Sequence, residues 1–189
     1  MSAYLRHSFL AAAFLCAASS VHADPMAMGS ANTDDQAAIA SAVSAAPASV
    51  SANAAVMTMD ASGKLRSLRS GSNGFTCFPD DPSSPGKDPM CLDAAAMGWF
   101  KALLANQPPP KGKVGFIYML QGGSDASNLS PEVRKPADGK WVITGPHVMI
   151  VGADPEFYAA YPSGANPDTA QPYVMWAGTP YQHLMAPVR

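Results

Sequence analysis

Asp88-Pro89-Met90-Cys91-Leu92-Asp93-Ala94-Ala95-Ala96-Met97-Gly98-Trp99-Phe100-Lys101-Ala102-Leu103-Leu104 (residues 88–104) and Val114-Gly115-Phe116-Ile117-Tyr118-Met119-Leu120 (residues 114–120) decide how this chain folds. In the first stretch Leu92, Ala96, Trp99 and Leu103 recur at helical spacing, and Met97, Phe100 and Leu104 widen the stripe. Asp88-Pro89 supplies a capping side chain and a proline suited to the first turn, so the pattern predicts a helix over Met90–Asn106. Pro108-Pro109-Pro110 stops it. The second stretch is apolar on both faces and reads as a central strand. A helix with one broad apolar stripe followed by a doubly buried strand predicts an α+β fold, a mostly antiparallel sheet packed against one or two helices in a single domain.

Outward from this centre the elements are shorter. Thr33-Asp34-Asp35-Gln36 has the form of a capping box, and Ile39, Ala40, Val43 and Ala46 follow on one helical face until Pro47. Residues 54–59, 65–69 and 75–78 alternate as short strands separated by Gly63 and by Ser70-Gly71-Ser72-Asn73-Gly74, which suggests a small antiparallel meander. Residues 148–151, 173–177 and 184–188 read as further strands. Between Gly122 and Lys140 lies a polar stretch longer than a compact domain usually leaves irregular, readable as a binding loop or as a tolerated insertion. Asn128-Leu129-Ser130 matches a glycosylation acceptor, but Pro131 follows it and the tripeptide is common; it is assigned no role.

The N-terminus sets the compartment. Arg6 and His7 precede the apolar run Phe9 to Ala18, and Val21-His22-Ala23 places small residues before a cleavage point, so residues 1–23 read as a secretory signal and Asp24 as the mature start. Cys16 lacks the small residues before it that lipid attachment would need. The mature chain has 166 residues, room for one domain at 33–189 behind a short mobile leader at 24–32. The expected location is periplasmic or secreted, with no membrane span once the signal is removed. Its 11 Lys and Arg stand against 14 Asp and Glu. With the basic residues scattered, nucleic acid is not an expected partner.

Loss of Cys16 with the signal leaves Cys77 and Cys91. In an oxidising compartment such a pair is most simply a disulfide, since neither close metal-ligand spacing nor a base to stabilise a thiolate accompanies it.

The mature chain has two histidines, and each stands two residues before a methionine: His147-Val148-Met149 and His183-Leu184-Met185. On a strand, residues i and i+2 share a face, so each segment presents an imidazole beside a thioether. No cofactor is expected from the sequence, but were the two strands neighbours, His147, Met149, His183 and Met185 would offer a soft ligand set suited to Cu(I). Ordinary packing competes with this reading, because methionine fills cores and a buried histidine readily hydrogen-bonds a carbonyl. Tyr173, Trp176 and Tyr181 cluster near His183 and are candidate ligand-binding residues, although aromatics on strands more often serve cross-strand packing. A hydrolase would need a serine with His147 or His183 as base and Asp125, Asp154 or Asp168 to orient it. No nucleophile elbow, phosphate loop, dinucleotide fingerprint or zinc-protease motif supports an enzyme.

Four segments, Asn73-Gly74-Phe75-Thr76-Cys77-Phe78-Pro79, Asp88-Pro89-Met90-Cys91-Leu92-Asp93, Gly145-Pro146-His147-Val148-Met149 and Gly178-Thr179-Pro180-Tyr181-Gln182-His183-Leu184-Met185, together resemble a group of exported bacterial proteins with no assigned activity. The resemblance covers most of residues 35–188. It implies a bacterial, exported, single-domain chain and brings no activity, cofactor or catalytic residue. The sequence as a whole favours an exported binding or structural domain, with a Cu(I)-binding protein and a small hydrolase as alternatives.

Overall fold

Eight strands form one mixed sheet in the computed structural model, which describes residues Thr33–Val188. The signal and leader assignments lie outside the described residues. The strands are β1 (Ala55–Met59), β2 (Leu65–Arg69), β3 (Thr76–Phe78), β4 (Met90–Leu92), β5 (Gly115–Met119), β8 (His147–Val151), β9 (Tyr173–Met175) and β10 (His183–Pro187). Their order is β2-β1-β3-β4-β5-β8-β10-β9, and β6 (Gly123–Asp125) with β7 (Val142–Thr144) makes a separate hairpin-like pair. Four helices accompany them among the described residues: α1 (Thr33–Val43), α2 (Ala48–Ser51), α3 (Ala94–Leu104) and α4 (Pro155–Tyr158). The fold is α+β, as expected, and the described residues fall within one compact unit. No helix among them is long and apolar enough to cross a membrane.

Two expectations need correction. The first concerns the helix start: Met90–Leu92 is a strand, and α3 begins only at Ala94. Strand pairing wins there because β4 lies between β3 and β5 and is hydrogen-bonded on both sides. Asp93, not Asp88, caps the helix: one carboxylate oxygen accepts from Ala96 N–H at 2.8 Å and the other from Phe116 N–H at 3.0 Å. One side chain therefore ends β4, starts α3 and ties the helix to β5. Leu104, which helical spacing placed on the buried stripe, is exposed.

The second concerns the meander. β1 pairs antiparallel with β2 but parallel with β3. After β2 the chain passes close over the start of β1, where Ser72 N–H donates to Asn53 O at 2.9 Å. A Cβ on Gly71 would lie 2.0 Å from Ala55 N, so glycine is what allows the crossing. β3 then enters on the far side of β1 in the same direction.

Register sorts the sheet into two faces. Leu92, Ile117, Met149 and Met185 are successive cross-strand partners and meet α3 through Ala96, Met97, Trp99 and Phe100. The opposite face carries Val56, Cys77 and Cys91 beneath Ala42 of α1, and Ile150, Val174 and Leu184 beneath Tyr158 of α4. Cys77 and Cys91 face each other across β3 and β4 and are joined as a disulfide, their Cα atoms 4.0 Å apart.

Candidate functional site

The α3 face holds both histidines. β8 and β10 are neighbours, and Met149 pairs directly with Met185. His147 pairs with Pro187 and His183 with Val151, so the imidazoles stand at diagonal corners with the two thioethers between them. Four residues at a rise of about 3.4 Å each put roughly 14 Å along the strands between the two histidine backbones. All four residues proposed as copper ligands thus share one face and are buried.

Both rings are held the same way. His183 Nδ1 lies 2.9 Å from Tyr181 O, and His147 Nδ1 lies 2.7 Å from Gly145 O. A carbonyl only accepts, so each Nδ1 carries the proton and each Nε2 offers a lone pair. Both Nε2 atoms are buried without a partner. Burial lowers both imidazoles below their ordinary range, His183 to about 4, and His147 adds to the lowering at His183. The rings are neutral at pH 7. His147 fits against Gly123, where a Cβ would stand 3.1 Å from its Cε1.

A cavity of about 420 Å³ opens between α3, this face of the sheet and the segment from Ser124 to Arg134. Trp99, Phe100, Trp176, Met149, Met185 and Ile117 supply apolar walls. Trp99 and Trp176 lie parallel with ring centres 6.4 Å apart, and His183 stands edge-on to both, at 5.4 and 4.9 Å. Trp99 Nε1 is also buried without a hydrogen-bond partner. Such orphaned groups are uncommon in folded proteins and each calls for an explanation.

Asp125, on β6, completes the lining. It is half-buried, and protein crowds it closely enough that burial, assisted by the Asp88 charge, pushes its carboxyl up to about 7. Nearby Tyr173 shares a 2.6 Å hydrogen bond with Thr144, and burial raises its phenol to about 12. The folded protein therefore holds a proton on Asp125 between about pH 4 and 7 that the unfolded chain has released. Its favourable protonated state is kept in acid and lost as pH rises through 7. Asp125→Asn is expected to stabilise the protein at pH 8 by on the order of 2 kcal/mol and to change little at pH 4. Thermal unfolding of the two proteins at both pH values checks this, and equal midpoints at pH 8 would contradict it.

The stretch expected to be irregular from Gly122 opens with β6, and the residues that follow it, through Arg134, form a wall of the cavity. Trp176 has a left-handed backbone, φ 55°, unusual for a bulky residue. Its N–H donates to Asn128 O at 2.8 Å and its indole N–H to Ser127 O at 2.9 Å, which couples the wall to β9. Asn128 itself is buried and donates to Gly164 O and Val174 O at 2.7 and 3.1 Å. Of the three aromatics singled out from sequence, Trp176 lines the cavity. Tyr173 pairs with Met185 and packs in the core on the same face, and the Tyr181 hydroxyl donates to Gln107 O at 3.0 Å beyond the end of α3.

The chain matches no protein-family model, no curated protein and no solved structure. Its chemistry rests on this geometry alone. No serine hydroxyl among the described residues is hydrogen-bonded to either histidine Nε2, and both Nδ1 atoms are oriented by carbonyls in place of carboxylates. Asp154 stands at the start of α4 and Asp168 accepts from Ala170 N–H at 3.1 Å, so neither is bonded to a histidine. Trp99 and Asn128 escaped sequence reasoning: their partners are distant in the chain. Gly123 is the one local signal, a bare backbone where His147 needs room.

Proposed function

We propose that this protein is an exported, non-catalytic binding domain that takes a small, largely apolar molecule into the cavity on the α3 face. The observation that carries this is the combination of aromatic and thioether walls with two unpaired polar atoms, Trp99 Nε1 and His183 Nε2, the usual composition of a small-molecule site. 4-Ethylphenol, an apolar ring with one hydroxyl, is expected to bind saturably at one site by calorimetry. Leu103→Trp, which fills the cavity from α3, is expected to abolish that binding while the fold, followed by circular dichroism, survives. Absence of saturable binding to the unmodified protein would end the reading.

One observation favours a second reading, Cu(I) binding. Two neutral imidazoles with free Nε2 lone pairs flank a directly paired Met149 and Met185, a soft donor set. The diagonal placement means that an ion held by both rings would draw them inward across the methionine pair. On this reading the protein takes one tight equivalent of Cu(I), and the double variant His147→Ala with His183→Ala loses it; unchanged uptake by that variant would refute the metal site.

A further inference from the structure

The cavity's polar groups specify more than an apolar occupant. Trp99 Nε1 is a buried donor without an acceptor, and His183 Nε2 is a buried acceptor without a donor. Their rings are in contact, with centres 5.4 Å apart, and both line the same cavity. A hydroxyl oxygen can accept from the indole N–H and donate to the imidazole, satisfying both at once, because hydroxyl is both donor and acceptor. Asp125 lines the cavity as well and accepts no hydrogen bond from another described side chain, unlike Asp88, whose carboxylate accepts from the Ser84 hydroxyl and from Asp81 N–H. A carboxylate beside aromatic faces favours an organic cation, which gains both charge pairing and attraction to the ring faces.

Resting on the binding reading above, we infer that the ligand is an amphipathic amino alcohol or aminophenol. Its hydroxyl sits between Trp99 and His183, its apolar body lies against Trp176 and the methionines, and its ammonium pairs with Asp125.

The charged and titratable groups around Asp125 agree with this. Asp88, from the connection between β3 and β4, adds negative charge, and the Tyr173 phenol on β9 and the imidazoles of β8 and β10 are uncharged at pH 7. The exposed Arg134 is the one cationic side chain in the lining.

Three matched probes test the assignment by calorimetry at pH 8: tyramine, 4-ethylphenol, which lacks the amine, and phenethylamine, which lacks the hydroxyl. Tyramine is expected to bind at least tenfold more tightly than 4-ethylphenol and severalfold more tightly than phenethylamine. Asp125→Asn is expected to erase the advantage of tyramine over 4-ethylphenol, with circular dichroism reporting that the variant is folded. As an independent readout in the unaltered protein, the same advantage should shrink as pH falls below 7 and Asp125 takes up a proton, with 4-ethylphenol unaffected. If 4-ethylphenol binds and tyramine binds no better, the amine assignment is overturned and the binding reading stands. Equal affinity of tyramine and phenethylamine overturns the hydroxyl assignment. If none of the three binds, both the inference and the binding reading fail.

Discussion

Gly115→Ala is expected to cost about 3 kcal/mol or more of stability, at or above the upper end for inserting a group into a packed interior. A Cβ at Gly115 would lie 2.2 Å from Ala96 N and 2.7 Å from Ala96 Cα. These are backbone atoms of the first turn of α3, and no rotamer change can relieve the clash. Nor can the helix simply lift away: Asp93 N–H donates to Phe116 O at 3.1 Å, and the Asp93 carboxylate accepts from Phe116 N–H. Moving α3 would break these bonds and open the cavity that α3 helps to enclose. Denaturant unfolding measures the loss, with Gly164→Ala as control, since a Cβ there meets no atom within 4 Å. A loss below 1 kcal/mol at Gly115 would show that α3 is not held against β5 as described.

Removal of the disulfide is the second large effect. Cys77 and Cys91 are fully buried and 14 residues apart in sequence, and closing a loop of that size is worth about 3 kcal/mol in the chain-entropy account. Cys91→Ser is expected to lose about that much and also to leave a hydroxyl in an apolar cluster. Expecting Cys91 on a helix, one would look for α3 to loosen first. The structure redirects that: the bridge joins β3 to β4 on the α1 face, packed with Ala42, Ala45 and Val56. Hydrogen exchange in the variant should therefore rise first in α1, while α3 and the cavity keep their protection. Faster exchange in α3 with α1 unaffected would contradict this placement.

The contrast shows what residue patterns can and cannot reveal. Local periodicity located most of α3 and the central strand, because Trp99, Phe100 and Ile117 are buried for reasons visible within a few residues of themselves. It misplaced the helix start because Asp93 answers to Phe116, a partner that only the sheet brings near. The two His-x-Met segments are legible as strand faces at any register. Whether they meet depends on β8 lying beside β10, and the offset of His147 from His183 on pairing of Met149 with Met185, which no local pattern fixes. The same holds for Trp99 against His183, and for Asp125, whose raised carboxyl follows from a cavity built by several separate segments.

The central claim, that the cavity beside His183 is a ligand site, is tested most directly by the nitrogen-15 resonances of the His183 ring during titration with 4-ethylphenol. In the free protein Nδ1 should carry the proton and Nε2 none, and the ring should stay neutral down to about pH 4. On saturation the Nε2 resonance should move as the phenol O–H donates to it, while Nδ1, held by Tyr181 O, stays in place. Saturable binding with no change at His183 Nε2, or a proton found on Nε2 in the free protein, would contradict the account.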